Sequence, residues 1–94
     1  MEELKKLRQE IDRVDKKIIG LLKERFKITR KIGRLKVEKS LPLRDKKRER
    51  ELFQKRKAWS KKFNLSPFLV EKIFRLILKE VLLSHYKIFS KKKR

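Results

Sequence analysis

Apolar residues recur at intervals of three and four in the N-terminal part of the chain, and this spacing predicts one long helix from about Glu3 to about Glu38. One slot in the series holds Arg25 instead of an apolar residue. A charge on an apolar stripe is costly unless something anionic meets it. Arg25 is therefore the most informative position in the chain. The apolar members of the stripe are Leu4, Leu7, Ile11, Val14, Ile18, Leu21, Ile28, Ile32 and Leu35.

Two shorter helices are predicted after a break at residues 40–43, where Pro42 disfavours helical geometry in the residue before it. Asp45 is a good N-cap for a second helix over about 46–62. The dipeptide Ser66–Pro67 is a strong start signal for a third helix, which we expect to end near Phe89. The main candidates for burial on the second helix are Leu52, Phe53, Trp59 and Phe63.

No window shows the alternation of a β-strand, so the pattern predicts an all-α fold with one long and two shorter helices. We expect a single domain over residues 1–90 and a disordered basic tail over 91–94. Gly33 lies inside the long helix, where glycine costs about 1 kcal/mol relative to alanine. It would permit close packing or the close approach of a ligand.

The length of the first helix predicts a dimer. A helix of about 36 residues is about 54 Å long, and the other two are each about half to two-thirds of that. They cannot cover the whole apolar stripe, and an uncovered stripe implies a partner helix. A homodimer with the two long helices packed together is the simplest arrangement.

Charge narrows the range of partners. The 94 residues include 32 Lys+Arg against 12 Asp+Glu, a formal net charge of +20. This balance favours nucleic acid, an anionic membrane surface or acidic small molecules. The lack of cysteine excludes disulfides and zinc–cysteine sites. No apolar stretch is long enough to span a bilayer, and the N-terminus lacks the apolar core of a signal peptide, so we expect a cytoplasmic protein.

Cationic residues on the long helix are candidates for one ligand site. Arg25 and Lys36 are eleven residues apart, so they share a face at about 16 Å along the axis. Arg8 lies about 42 Å from Lys36 along the same helix and cannot serve that site within one chain. In an antiparallel dimer, Arg8 could reach the site of the partner subunit.

The other two helices carry further candidates. Asp45, Arg48 and Glu49 share one face of the second helix, although on spacing alone a capping residue with a solvated charge cluster is the better explanation. Val81 and His85 are one turn apart beside the apolar face of the third helix. A lone histidine in such a place is more often structural than functional.

Four segments together resemble the all-helical chorismate mutases over about residues 4 to 86. They are LRQEIDRVD at 7–15, LLKER at 21–25, IGRLK at 32–36 and PLRDKKRERE at 42–51. The resemblance implies an intertwined homodimer with two identical, shared sites. It also implies the Claisen rearrangement of the dianion chorismate to prephenate, without a cofactor or a metal.

The resemblance also implies roles for single residues. Arg8 of the other subunit, Arg25 and Arg48 would bind the two carboxylates of chorismate. Lys36 would hydrogen-bond the ether oxygen and a carboxylate as well, and Glu49, with Asp45 nearby, would hold the ring hydroxyl. These roles suit a pericyclic reaction, because it needs a folded substrate and preorganised positive charge instead of a nucleophile.

Two residues depart from the family pattern. Val81 stands where the best-known members carry a serine, and His85 stands where they carry a glutamine or glutamate facing the ether oxygen. Because a neutral imidazole can donate one hydrogen bond, we expect His85 to donate to the ether oxygen. Activity would then change near the pKa of the histidine.

Three alternatives remain. Isochorismate pyruvate lyases share the architecture, although the arginine–aspartate and arginine–glutamate signature fits mutases better. A degenerate or regulatory homologue would explain Val81 and His85, but the cationic residues look intact. A basic helical module that binds nucleic acid through phosphates fits the charge. It leaves Arg25 unexplained, and aromatic residues do not interleave with the basic runs.

Overall fold

The computed structural model describes residues 1–93 and folds them into three α-helices. They are α1 (Glu2–Glu38), α2 (Lys46–Lys62) and α3 (Pro67–Lys93). No strand occurs in this part of the chain, so the predicted all-α fold is confirmed. The fold measures 58 × 28 × 15 Å. Its long dimension follows from α1, whose 37 residues extend about 55 Å at 1.5 Å per residue.

Local capping explains where the helices begin and end. The carboxylate of Asp45 accepts a hydrogen bond from the Arg48 backbone N–H at 3.0 Å. The hydroxyl of Ser66 accepts one from the Leu69 N–H at 3.3 Å. Each cap satisfies a backbone donor that the first turn leaves unpaired. Ser40 and Asn64 follow the ends of α1 and α2 with φ values of 53° and 57°, the left-handed conformation that commonly terminates a helix.

The end of α3 corrects one prediction. The helix continues to Lys93, four residues beyond the expected end at Phe89. A disordered tail was expected over 91–94; the structure includes residues 91–93 in the helix, and Arg94 lies outside the described residues. No glycine or proline follows Phe89 to interrupt the helix. Lys91 and Lys92 also place positive charge near the negative end of the helix dipole, which is favourable.

Helix α3 holds the fold together, because it packs against both α1 and α2. Over the described residues, α1 and α2 have no pair of Cα atoms within 8 Å of each other. The two helices are therefore separated from each other, both pack on α3, and a cleft lies between them. Few residues are buried, and most of them lie on α3. They are Gly33, Ser60, Ile77, Val81 and His85.

Much of the apolar surface stays exposed in the single chain. On the α1 stripe, Ile11 is 59% exposed and Leu21 is 63% exposed. This agrees with the prediction that the shorter helices cannot cover the stripe. Phe53, Trp59 and Phe63 were expected to be buried, but they are 37%, 54% and 71% exposed, and the buried residue of α2 is Ser60, which is 3% exposed. None of the helices, over residues 1–93, is long and apolar enough to cross a lipid bilayer.

Candidate functional site

The cleft between α1 and α2 has a volume of about 1110 Å³ and is lined by all three helices. It brings together residues that are up to 60 positions apart in the sequence. Seven of the eight residues predicted from the sequence line it, and they come from every helix. These are Arg25, Lys36, Asp45, Arg48, Glu49, Val81 and His85.

Arg8 is the predicted residue that lies elsewhere. It borders a smaller hollow of about 400 Å³ near the start of α1. It precedes Arg25 by seventeen residues, which corresponds to about 26 Å along the helix axis. Arg8 therefore cannot reach the cleft of its own chain, in agreement with the distance argument from the sequence.

Lys36 is held at the cleft by the loop that joins α1 and α2. Its ammonium donates a hydrogen bond to the Leu43 backbone carbonyl at 3.0 Å. An ammonium has three N–H donors, so two remain for a ligand. The loop carbonyl thus fixes the position of the charge without neutralising it.

Arg25 and Arg48 bring two more positive charges to the cleft. The side chain of Arg25 is partly buried, and the loss of hydration lowers the pKa of its guanidinium. Arginine still remains protonated at neutral pH. Among residues 1–93, neither Arg25 nor Arg48 forms an ion pair with a carboxylate. Both charges are therefore available to an anion that enters the cleft.

Glu49 is oriented by a neighbour that the sequence reasoning missed. Arg44 Nε lies 3.0 Å from Glu49 Oε2, and Arg44 Nη2 lies 3.1 Å from Glu49 Oε1. The hydrogen bond and the charge of Glu49 raise the pKa of Arg44. Each carboxylate oxygen keeps a lone pair, so Glu49 can still accept a hydrogen bond from a hydroxyl. The pair spans five positions across the N-cap, a spacing that helical periodicity does not predict.

His85 lies deep in the wall of the cleft, with 2% of its surface exposed. Its Nε2 is 2.7 Å from the backbone carbonyl oxygen of Thr29 on α1. Because a carbonyl only accepts hydrogen bonds, Nε2 must carry the proton. Thr29 was not identified from the sequence, since it is 56 positions from His85 and carries no motif.

This bond bears on the role expected for His85. A neutral imidazole has one N–H, and here that N–H donates to the Thr29 carbonyl. In this arrangement, donation by a neutral His85 to an ether oxygen would require the bond to Thr29 to break. The other ring nitrogen, Nδ1, is buried and has no hydrogen-bond partner among the described residues. In the neutral ring it is an acceptor.

The absence of a side chain at Gly33 leaves room for the ring of His85. A Cβ atom placed on Gly33 would lie 2.5 Å from His85 Cδ2 and 3.1 Å from Ile88 Cδ1. Real Cβ atoms do not approach a ring carbon that closely. The glycine thus permits close packing of α3 on α1, one of the two uses expected for it from the sequence.

Arg56 and Phe74 also line the cleft and were not predicted. The guanidinium carbon of Arg56 is 4.0 Å from the centroid of the Phe74 ring, and that of Arg25 is 5.6 Å from the same centroid. The spacing could have identified Arg56, because Arg48, Leu52 and Arg56 recur at intervals of four and so share one face of α2. Phe74 had been assigned only to the apolar face of α3.

Comparison with known proteins agrees with the resemblance seen in the sequence. Residues 7–86 match the family described as chorismate mutase type II. A bifunctional chorismate mutase/prephenate dehydratase of Aquifex aeolicus is 53% identical over 55 residues, which is 58% of this chain and 15% of that protein. One from Buchnera aphidicola is 37% identical over 84 residues, 89% of this chain and 22% of that protein.

A shorter relative matches over most of its own length. The chorismate mutase of Methanocaldococcus jannaschii is 28% identical over 91 residues, which is 97% of this chain and 87% of that protein. The chain therefore spans about a fifth or less of the two bifunctional relatives and most of the archaeal one.

Proposed function

Because this chain belongs to the type II chorismate mutase family, we propose that it catalyses the rearrangement of chorismate to prephenate. The observation that carries the proposal is the set of positive charges in one cleft. Arg25, Lys36 and Arg48 line it, and none of them is ion-paired with a carboxylate among residues 1–93. Such a cleft suits a small dianion.

The reaction breaks a C–O bond and forms a C–C bond within one molecule, so no nucleophile or general base is required. The protein has to hold the substrate in the folded conformer and stabilise the charge that develops on the ether oxygen. Arg25 and Arg48 bind the two carboxylates, since a guanidinium can donate two parallel hydrogen bonds to a carboxylate. Holding the reactive conformer supplies the proximity contribution to the rate.

Lys36 donates to the ether oxygen as the C–O bond breaks. Its bond to the Leu43 carbonyl supports this role, because a preorganised charge does not have to reorient when the transition state forms. Glu49, fixed by Arg44, accepts the hydrogen bond of the ring hydroxyl, with Asp45 at the adjacent N-cap. Val81 and His85 form the wall of the cleft on α3, and His85 acts there as a positioned ring instead of a donor.

The active enzyme is proposed to be a homodimer with two shared sites. The exposed apolar stripe of α1 supports this, because a second copy of the same stripe would cover it. An antiparallel pairing of the two long helices would bring Arg8 of the partner subunit to the cleft, where it would bind a substrate carboxylate. A cytoplasmic location stays a prediction.

The test is a chorismate turnover assay with the product identified. Wild-type protein is expected to convert chorismate to prephenate. Lys36→Ala is expected to lower kcat by about 100-fold to 1000-fold, as expected for a preorganised charge. Lys31→Ala removes an exposed charge of α1 outside the cleft and should leave the rate unchanged.

Two results would count against the proposal. One is a folded dimer that forms no prephenate. The other is release of pyruvate from isochorismate at a higher kcat/KM than that for chorismate, which would assign the cleft to the lyase reaction.

A further inference from the structure

Arg56 is placed in the cleft by an aromatic ring. Its side chain is partly buried, and its guanidinium lies 4.0 Å from the centroid of Phe74. Arg25 approaches the same ring, at 5.6 Å. Phe74 therefore holds two guanidinium groups near each other, one from α1 and one from α2, although these helices have no pair of Cα atoms within 8 Å over the described residues.

The charges around Phe74 are unbalanced. Among the described residues, Arg25, Arg48 and Arg56 form no ion pair with a carboxylate. Burial lowers the pKa of Arg56, and the nearby charges of Arg25 and Arg48 lower it further. Like charges brought together in a partly dry site destabilise one another unless an anion joins them. A leucine at position 56 could cover Phe74 without that cost, so packing alone does not explain an arginine there.

We propose that Arg56 is a further substrate-binding residue, whose guanidinium on the Phe74 ring binds a substrate carboxylate together with Arg25. The inference rests on the proposed function, since it takes chorismate as the ligand. Phe74 positions the two guanidinium groups and does not itself contact the reacting atoms.

The test compares two replacements of Arg56. Arg56→Met keeps an unbranched apolar stem on Phe74 but removes the charge, and Arg56→Lys keeps a charge but loses the planar fork. Loss of a hydrogen bond to a charged group is expected to raise KM for chorismate by about 10-fold to 100-fold in Arg56→Met. Arg56→Lys should fall between Arg56→Met and the wild type.

Lys55→Gln provides the matched control, because it removes one positive charge from the exposed neighbouring residue outside the cleft. It should change KM by less than Arg56→Met does at the same ionic strength. Calorimetric titration with prephenate gives a readout without turnover, and Arg56→Met should weaken that binding by a similar factor. Equal KM and equal prephenate affinity in folded Arg56→Met and wild type would overturn the inference.

Failure of the proposed function would be seen separately, as absence of prephenate formation by the wild type. Malonate, a small dicarboxylate, would then serve as the probe. Weaker malonate binding by Arg56→Met than by Lys55→Gln would support Arg56 as an anion-binding residue. Equal binding by the two variants would overturn that role as well.

Discussion

The imidazole of His85 fills the space that a side chain at position 33 would occupy. A Cβ on Gly33 would meet His85 Cδ2 at 2.5 Å, and the adjacent ring atom Nε2 lies 2.7 Å from the carbonyl oxygen of Thr29, one turn earlier on α1. The contact between α1 and α3 at this level therefore depends on a glycine and a histidine together.

Replacing the two glycines of α1 by alanine should have opposite effects on stability. Gly20→Ala is expected to raise the free energy of unfolding by about 0.5–1 kcal/mol, because alanine is the better helix former, and nothing lies within 4 Å of its new Cβ. Gly33→Ala is expected to lower it by about 1–3 kcal/mol through overpacking against His85. Urea unfolding measures both variants, and a stabilised Gly33→Ala would contradict the contact described above.

The ring of His85 should carry its proton on Nε2 whenever it is neutral. The acceptor at Nε2 is a backbone carbonyl, which leaves no other arrangement for the neutral ring. The ¹⁵N chemical shifts of the imidazole, measured by NMR through the two-bond couplings to the ring protons, distinguish the two tautomers. A proton on Nδ1 in the free protein would show that the bond to Thr29 is not formed in solution.

Two inactive variants should restore activity when mixed. Arg8→Ala and Arg25→Ala are each expected to abolish most turnover, because each removes a guanidinium from the shared site. In a mixed dimer one of the two sites is free of both substitutions, so full random exchange should return about a quarter of the wild-type activity. No recovery after subunit exchange has been verified by mass spectrometry would exclude a site shared between subunits.

Added salt should slow the capture of substrate. With a net charge of +20, the protein attracts a dianion electrostatically. Added salt screens this attraction and shortens its range. We expect kcat/KM for chorismate to fall as potassium chloride is raised from 10 mM to 500 mM, with a smaller change in kcat. A kcat/KM that does not vary with salt would mean that the surface charge does not steer the substrate.

The helices could be predicted from the sequence because their signals are local. The stripe of α1, the Asp45 cap and the Ser66–Pro67 start each depend on residues within a few positions of one another, and the structure confirms them. The set of cleft residues on α1 and α2 followed from the resemblance. The end of α3 was missed because no breaking residue marks it.

The contacts between helices could not be predicted in the same way. The bond from His85 to Thr29 and the stacking of Arg56 on Phe74 join positions far apart in the sequence. Whether these contacts form depends on the orientation of α3 about its own axis where it packs on α1 and α2. Periodicity identifies which face of a helix is buried, but it does not specify which partner each side chain meets.

Because few apolar side chains are buried along α3, the stability of the protein should depend on its concentration. Ile77 and Val81, each 8% exposed, are the buried apolar side chains of the described residues, which is little for a domain of this length. If a second copy covers the α1 stripe, most of the apolar burial comes from association, and folding and assembly become a single equilibrium. The temperature of half-unfolding would then rise with protein concentration, and dilution alone would remove both structure and activity.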